Sequence, residues 1–205
     1  MFYATAERDR TKLPHDPFKA IVAPRPIGWI STRALDGRIN LAPYSFFNGF
    51  SSAPPIVGFS SEGWKDSACF ARESGEFVAN LATRDLHGPM NVTSGPFARG
   101  DNEFAHAGLT MAECRLVAAP RVAESPAALE CKVVEVIEIK SASGALTGAV
   151  LTLGEVVAFH IDECFVVDGR FDTARAHPLA RCGYQDYATV EAVFAMARPK
   201  GGGGI

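Results

Sequence analysis

The chain of 205 residues lacks the features that mark membrane, secreted and nucleic-acid-binding proteins. No apolar stretch approaches the roughly 20 residues that a membrane-spanning helix requires. The amino-terminal segment MFYATAERDRTK lacks the apolar core of a signal peptide. The net charge of −3 gives no broad cationic surface for a phosphate backbone. We therefore expect a cytoplasmic protein whose main partners are small molecules, neither nucleic acid nor membrane.

Patterns that bind metals or form disulfide frameworks are also missing. The five cysteines are odd in number, widely spaced and without a CxxC pair. Free, inert thiols in a reducing compartment are their simplest interpretation. The histidines form no HxH, HExxH or facial-triad spacing, so the sequence predicts no metal site.

The domain organisation follows from length and composition. The chain has no repeat of solenoid length, and hydrophobic residues make up 47% of it, which is enough for one sizeable core. We predict a single domain over residues 1–198 and a flexible glycine-rich tail over 199–205. The tail contains four successive glycines, which lose much backbone entropy on ordering.

The first half of the chain contains strand-like runs. Residues 27–34 and 39–47 flank an Asp-Gly pair that suits a tight β-hairpin. Two further runs, 54–60 and 76–82, lie on either side of a predicted short helix over 65–74. We expect Asp66 or Ser67 to cap this helix and Gly75 to end it.

The second half contains the longest β signals, over 128–140 and 148–161, joined by the turn SASG. In the first of them, strict alternation places Cys131, Val133, Glu135 and Ile137 on one face. Helical turns are predicted from Asp85 and over 102–108, and a last strand over 187–199. So many strands with so little room for crossover helices predict a mainly β protein with short helices, a closed or nearly closed barrel.

The order of these motifs resembles a known family. PRPIGWISTRALDGRINLAPYSFFN at residues 24–48, followed by PPIVGFSS, KDS, GEFVANL, LEC and GEVVAFHI, is similar to the flavin reductase-like family of FMN-binding split-barrel proteins, in particular the flavoredoxin-type branch. The resemblance implies a six-stranded Greek-key split barrel of the FMN-binding type. It also implies a homodimer, with FMN near the subunit interface and often reduced by NADH or NADPH.

The residues themselves offer donors for the phosphate of FMN. A phosphate dianion needs several hydrogen-bond donors and a cation, which the hairpin and the helix start could supply together. Neighbouring strand residues point to opposite faces, so not all three hairpin residues can bind through their side chains. The candidate phosphate residues are Ser31, Thr32, Arg33, Lys65, Asp66 and Ser67.

The flat flavin ring needs a slot with apolar walls and free backbone groups. Pro43 removes one ladder donor, so we expect an edge or irregular strand beside it. Trp29 is interpreted as a packed core aromatic. The candidate ring residues are Ala42, Tyr44, Ser45, Phe46 and Asn48, and the resemblance adds Ser60 and Ser61.

His160 ends the last long strand and is the candidate catalytic residue. In the resemblance it falls near the flavin or the nicotinamide, where an imidazole could donate a hydrogen bond. The alternative is one structural hydrogen bond at a strand end. The resemblance also implies that Arg181 and Tyr187 close over the partner subunit's site, although Cys182 and Tyr184 depart from the family pattern.

The sequence contains no paired carboxylates, no catalytic triad and no GxGxxG opening a βαβ unit. Hydride transfer to a flavin needs little acid-base help, because the cofactor carries the chemistry. We predict an oxidoreductase, an NAD(P)H-dependent flavin reductase with FMN as cofactor. The alternatives are an FMN electron carrier that serves a protein acceptor without nicotinamide turnover, and a barrel without cofactor that acts as a scaffold.

Overall fold

The computed structural model of the chain describes residues 1–197 and 199. Strands dominate it, and they are numbered along the chain. The strands are β1 (Arg25–Pro26), β2 (Gly28–Arg33), β3 (Ile39–Tyr44), β4 (Phe47–Ser52), β5 (Pro55–Glu62), β6 (Glu76–Leu81), β7 (Met111–Ala112), β8 (Arg121–Val122), β9 (Ala127–Lys140), β10 (Leu146–Ile161), β11 (Val166–Val167), β12 (Arg170–Phe171), β13 (Leu179–Arg181) and β14 (Tyr187–Thr189).

The helices are short and lie against the strands. They are α1 (Phe18–Ile21), α2 (Asp66–Ser74), α3 (His87–Val92), α4 (Glu103–Ala107) and α5 (Thr173–Ala176), with single 3-10 turns at Thr5–Glu7, Arg84–Leu86 and Glu163–Phe165. No helix in the described part of the chain has the length and hydropathy needed to span a membrane.

One antiparallel sheet of seven strands organises the fold, in the order β3-β2-β6-β9-β10-β5-β4. Its two edges, β3 and β4, follow one another in the chain, so the sheet curls back on itself as a split barrel. Three strands, β1, β13 and β14, form a smaller sheet beside it. The predicted mainly β fold with short helices is confirmed, although the principal sheet has seven strands where six were expected.

The first hairpin forms where the Asp-Gly pair predicted it. Ala34 and Arg38 close a loop of three residues, and only Gly37 has a positive φ, of 92°. A type I turn followed by one left-handed residue explains this geometry, in place of the two positive angles of a two-residue turn. The position of the hairpin is therefore confirmed, and its loop has three residues.

The long hairpin β9–β10 has three register shifts that the alternation did not predict. Val133 pairs with Gly154 and Glu135 with Leu153, which leaves Val134 as an extra residue on β9. A bulge shifts the following residues to the other face of the strand. The prediction that Cys131, Val133, Glu135 and Ile137 share one face was therefore wrong beyond Val133: Cys131 is buried, whereas Glu135 is exposed.

The helix predicted over 65–74 begins at Asp66 and ends at Gly75, whose φ is 73°. Neither Asp66 nor Ser67 caps it, because Lys65 is the N-cap residue and no side chain accepts from the first turn. The predicted helices near Asp85 and over 102–108 are confirmed as α3 and α4.

The last strand is much shorter than predicted. Only Tyr187–Thr189 joins a sheet, and residues 190–197 have no regular structure. Phe194 is 84% exposed, so its β propensity has no sheet face to pack against. The predicted tail over 199–205 lies, apart from Pro199, outside the described residues.

Two apolar clusters lie on opposite faces of the first hairpin. Trp29 and Leu41 pack against α3 and α4 and are fully buried, which confirms Trp29 as a core aromatic. On the other face, inside the barrel, the rings of Phe59 and Phe77 meet edge to face at 5.3 Å between centroids. The hairpin is thus held firmly from both sides, which fixes the position of β3.

Gly154 on β10 is closely packed against side chains in the barrel interior. A Cβ atom there would lie 2.4 Å from the Phe77 ring and 3.1 Å from Cys131 Cβ. We expect Gly154→Ala to lower the free energy of unfolding by about 1–3 kcal/mol, because overpacking strains a dense core. Urea denaturation measures this. The control is Gly49→Ala, where a Cβ would meet nothing within 4 Å; equal midpoints for the two variants would show that the Phe77 ring yields freely.

Candidate functional site

The first hairpin and the start of α2 meet at one cavity of about 570 Å³, here called the α2 cavity. Strand β3 forms one wall, the segment 64–67 forms a second, and the loop 93–99 forms a third. The predicted residues Ala42, Tyr44, Lys65, Asp66 and Ser67 all line it. The structure therefore brings the predicted ring wall and the predicted phosphate tip together.

The amino end of α2 is free of any side-chain cap. The first N–H groups of a helix have no partner within the helix and carry a partial positive charge. Lys65, at the N-cap position, is exposed and takes part in none of the ion pairs found among the described residues. An uncapped helix end beside an unpaired ammonium is suited to an anion.

The side chain of Asp66 is anchored in place and is not a phosphate donor. Its carboxylate lies 2.9 Å from Nε of Arg99 and accepts a hydrogen bond of 3.0 Å from the Gly100 N–H. An ionised carboxylate can only accept hydrogen bonds, so it cannot donate to a phosphate. Asp66 instead fastens the loop 93–99 to α2 and so helps to define the cavity.

A buried chain of hydrogen bonds connects the walls of the α2 cavity. The Ser67 hydroxyl donates to Asn40 Oδ1 at 2.5 Å, and Asn40 Nδ2 donates to Glu103 Oε1 at 2.7 Å. The other oxygen of Glu103 accepts from the Leu41 N–H at 2.9 Å. Burial raises the pKa of Glu103, and these donors oppose that rise. α2, β3 and α4 are thereby fixed relative to one another.

Tyr44 closes the inner side of the cavity. Burial raises the pKa of its phenol, while the nearby hydroxyls of Ser67 and Ser61 oppose the rise, so the group is neutral at physiological pH. Thr32 and Ser61 are almost completely buried, and their hydroxyls have no hydrogen-bond partner in the described part of the chain. Both were predicted cofactor-binding residues, but neither lines the α2 cavity.

Other candidate residues lie away from the α2 cavity. The Ser31 hydroxyl donates to the Pro120 carbonyl at 2.5 Å and is fully buried, so it serves the core. Arg33 is exposed at the end of β2. Both residues, like the half-buried Ser60, are absent from the cavity wall.

The chain following β3 also turns away from this cavity. Ser45 lines a neighbouring cavity, and the Phe46 ring stacks on Phe18 at 6.4 Å. Asn48 is exposed on β4, where its side chain accepts from the Gly49 N–H at 2.8 Å. The predicted ring site is therefore represented here by Ala42, Pro43 and Tyr44.

His160 lies far from the α2 cavity of its own chain. It pairs with Ala128 on β9, which pairs with Asn80 on β6. Asn80 pairs with Trp29, and Trp29 pairs with Pro43 at the cavity. Four strand spacings of about 4.8 Å separate the two sites along the sheet. His160 lines a different cavity, of about 420 Å³.

His160 instead contacts a buried carboxylate. Its Nε2 lies 2.6 Å from Oε1 of Glu130, which is fully buried and also accepts from the N–H groups of Arg115, Leu116 and Val117. Burial would raise the pKa of Glu130, but the N–H of Arg115 and the imidazole outweigh it and lower the pKa. This is the structural alternative that the sequence analysis left open for His160.

Cys114 completes a cluster with Glu130 and His160, whose ligand atoms lie within 4.8 Å of one another. The spacing rules did not reveal this cluster, because its members are far apart in the sequence. Burial and the Glu130 charge raise the pKa of Cys114 to about 12, so its thiol is protonated. Both oxygens of Glu130 already accept two hydrogen bonds each, which favours a hydrogen-bonded cluster over a metal centre.

Glu130 should be important for stability. Glu130→Gln is expected to reduce the free energy of unfolding at pH 7 by about 3 kcal/mol, since an amide cannot replace a buried carboxylate that accepts four donors. Because the folded pKa is lowered, this contribution is present above the pKa of the unfolded chain and fades as the pH falls through the folded value. Urea titrations of both proteins from pH 7 downward measure it.

The control for this substitution is Glu135→Gln, an exposed position on the same strand. It is expected to change stability by less than about 0.5 kcal/mol. The difference in free energy of unfolding between wild type and Glu130→Gln should become smaller as the pH falls. A difference that stays constant would contradict an ionised Glu130 in the folded protein.

Three parts of the α2 cavity were missed from the sequence: Asn40, Glu103 and the loop 93–99. Asn40 could have been found, because it shares the face of β3 that bears Ala42 and Tyr44. Glu103 and Arg99 carry no local signal, because long-range folding alone brings them to α2. Thr93 anchors the loop by accepting from Trp29 Nε1 at 2.9 Å.

The split-barrel fold, with the amino end of α2 and the edge strand β3 at one cavity, can be compared with the folds of known proteins. A family model described as "Flavin reductase like domain" matches residues 22–175. Uncharacterized protein BH2278 of Halalkalibacterium halodurans is 34% identical over 87% of this chain and 87% of its own length. The chain belongs to the flavin reductase-like family.

Solved structures agree with this assignment. Nitrilotriacetate monooxygenase component B from Bacillus cereus superposes with a TM-score of 0.87 and 25% identity, covering 96% of this chain and 98% of that one. Flavoredoxin of Desulfovibrio vulgaris (Miyazaki F) gives 0.78 at 22% identity over 98% and 100% of the two chains. An FMN-binding domain of a flavin reductases-like enzyme from Shewanella baltica gives 0.69 at 20% over 89% and 96%; the last two show the shared fold.

Proposed function

We propose that the chain binds FMN in the α2 cavity and acts as an NAD(P)H-dependent flavin reductase. One observation carries the proposal: the uncapped amino end of α2, with Lys65 beside it, opens on the same cavity as the edge strand β3. An anion site and a slot for a flat ring thus adjoin, as the two ends of FMN require. Family membership and the FMN-binding domain of similar fold support the choice of cofactor.

The residues of the cavity fit FMN. Its volume of about 570 Å³ lies within the range of small-molecule and cofactor sites. The Lys65 ammonium and the first N–H groups of α2 would hold the phosphate. Ser67 would contribute its backbone N–H, because its hydroxyl is already donated to Asn40.

The ring would lie against β3 and the loop 93–99. Because β3 is an edge strand, the backbone groups on its outer side have no neighbouring strand to bind. Ala42 and Pro43 present a small, smooth wall to the cavity. These are the features that a flat heterocycle with polar edges needs.

FMN, when bound, supplies the hydride acceptor. The residues around it need only bind the cofactor, orient it and exclude water. The two acids of the described cavity wall, Asp66 and Glu103, are both held by hydrogen bonds and so are not poised as general bases. His160 would need a site contributed by a second chain to act on a flavin.

A cytoplasmic homodimer with FMN near the subunit interface is part of the proposal. Exposed apolar side chains on the long hairpin support it, because Val134, Phe159 and Ile161 are 54%, 59% and 46% exposed. Light scattering of the purified protein measures the mass. A monomeric mass at micromolar protein concentration would contradict the proposed homodimer. It would not affect the proposal that the chain binds FMN.

The second candidate function is an FMN electron carrier that passes electrons to a protein acceptor. The fold shared with flavoredoxin supports it. The reductase should oxidise NADH or NADPH at a rate that rises with added free FMN, which absorbance at 340 nm follows. The carrier should keep FMN through gel filtration and show no appreciable turnover. A protein that takes up no FMN would contradict both.

Lys65 tests the phosphate site. Lys65→Ala should raise the Kd for FMN about tenfold or more, because it removes a charge-assisted contact to the phosphate. Quenching of flavin fluorescence measures Kd. The Kd for riboflavin, which lacks the phosphate, should not change.

The matched control for Lys65→Ala is Lys140→Ala, which removes the same charge from an exposed end of β9. It should leave the Kd for FMN unchanged. Equal weakening of FMN and riboflavin by Lys65→Ala would show that the phosphate lies elsewhere.

A further inference from the structure

A second cavity, of about 310 Å³, lies beside the α2 cavity and is here called the arginine cavity. Lys19, Arg25 and Arg181 line it together with two tyrosines, Tyr184 and Tyr187. Among the described residues that line it, none is acidic. The cavity therefore concentrates positive charge without any neutralising carboxylate in its wall.

Arg25 is the central cation of this cavity. Its side chain is almost completely buried, with the residue 6% exposed. The guanidinium donates to the carbonyls of Lys19 and Val22, and to that of Cys182 at 2.9 Å, while its Nε has no partner in the described chain. Carbonyl dipoles hold the group in place but do not neutralise it. A buried charge without a counter-ion is unfavourable.

Arg181 adds a like charge directly opposite. Arg25 on β1 and Arg181 on β13 are register partners in the small antiparallel sheet. Like charges facing each other across a strand pair are destabilising. The Arg181 guanidinium lies 4.4 Å from the centre of the Tyr187 ring and donates to the Tyr184 carbonyl, so it too is without a carboxylate.

Lys19 contributes a third charge at the rim. Its ammonium lies 3.5 Å from Glu62, but both side chains are well exposed, and such surface pairs are weak. Among the described residues, no carboxylate pairs with Arg25 or Arg181, and the one ion pair of Lys19 is this weak surface contact with Glu62. The arrangement is stabilised when an anion enters the cavity.

The position of the arginine cavity indicates which anion this is. It shares Pro43 and Ser94 with the α2 cavity, so its occupant would lie next to the flavin. On the other side it shares Lys19 and Tyr184 with a third cavity of about 780 Å³, whose wall includes Tyr3, Phe18 and Arg10. The arginine cavity therefore adjoins both of the larger cavities at these shared residues.

We propose that the arginine cavity binds the diphosphate of the nicotinamide dinucleotide, with the nicotinamide directed toward the α2 cavity and the adenosine toward the third cavity. The inference rests on the proposed function, because it names a site for its electron donor. A diphosphate matches the central cations, and it is flanked by two heterocycles as the charged cavity is flanked by two larger ones. Guanidinium groups bind such oxyanions through paired hydrogen bonds.

ADP-ribose is the probe that tests the proposal, because it carries the diphosphate and cannot deliver a hydride. Isothermal titration calorimetry on the FMN-saturated protein should show binding that weakens with added salt. Lys19→Ala and Arg181→Gln should each raise its Kd about tenfold, and the KM for NADH or NADPH with it, at unchanged kcat. Arg25 is left intact, because its guanidinium also holds α1.

Matched controls are Lys140→Ala and Arg170→Gln, both exposed elsewhere, which should leave the Kd of ADP-ribose unchanged. Three outcomes would overturn the proposal: ADP-ribose that fails to bind, binding unaffected by both variants, or a loss of FMN affinity in place of ADP-ribose affinity, which would assign the cavity to the flavin phosphate. Binding of inorganic pyrophosphate without ADP-ribose also counts against it. Because ADP-ribose binding needs no turnover, a protein that binds it normally but reduces no flavin would disprove the proposed function alone.

Discussion

The Glu103 carboxylate is the constraint on which the α2 cavity depends. One of its oxygens binds the amide of Asn40 and the other binds the backbone of Leu41, so α4 is fastened to the edge strand β3. The side chain of Asn40 in turn accepts a hydrogen bond from Ser67 at the start of α2. Burial disfavours the charged carboxylate and raises the pKa of Glu103, and its donors offset only part of that rise. Three elements from distant parts of the chain are thereby held at one geometry, and the cavity is the space between them.

A second buried carboxylate, Glu130, plays the same role on the far side of the sheet. It gathers the N–H groups of the segment 115–117 and the imidazole of His160 around one point. Each carboxylate replaces regular pairing where the chain leaves the sheet, and each satisfies backbone donors that would otherwise be buried alone. Glu103 and Glu130 thus each fasten an irregular segment of the chain to the barrel.

The sequence predicted the strands and short helices well, because their signals are local. The Asp-Gly turn, the alternation in β2 and β3 and the left-handed Gly75 each depend on a few adjacent residues. The bulge at Val134 could not be predicted, because it depends on the register between β9 and β10. The α2 cavity was predicted in two of its walls. Its third wall, the loop 93–99, depends on Asp66 meeting Arg99 after folding.

The edge strands β3 and β4 are joined by only Ser45 and Phe46. The Tyr44 end of β3 is therefore held by this short connection. Its other end is held by Asn40, which bonds to Ser67 of α2 and to Glu103 of α4. Because the edge strand is fixed at both ends, its wall of the α2 cavity is already in place before a molecule enters. A preorganised wall of this kind loses little conformational entropy when a ligand binds.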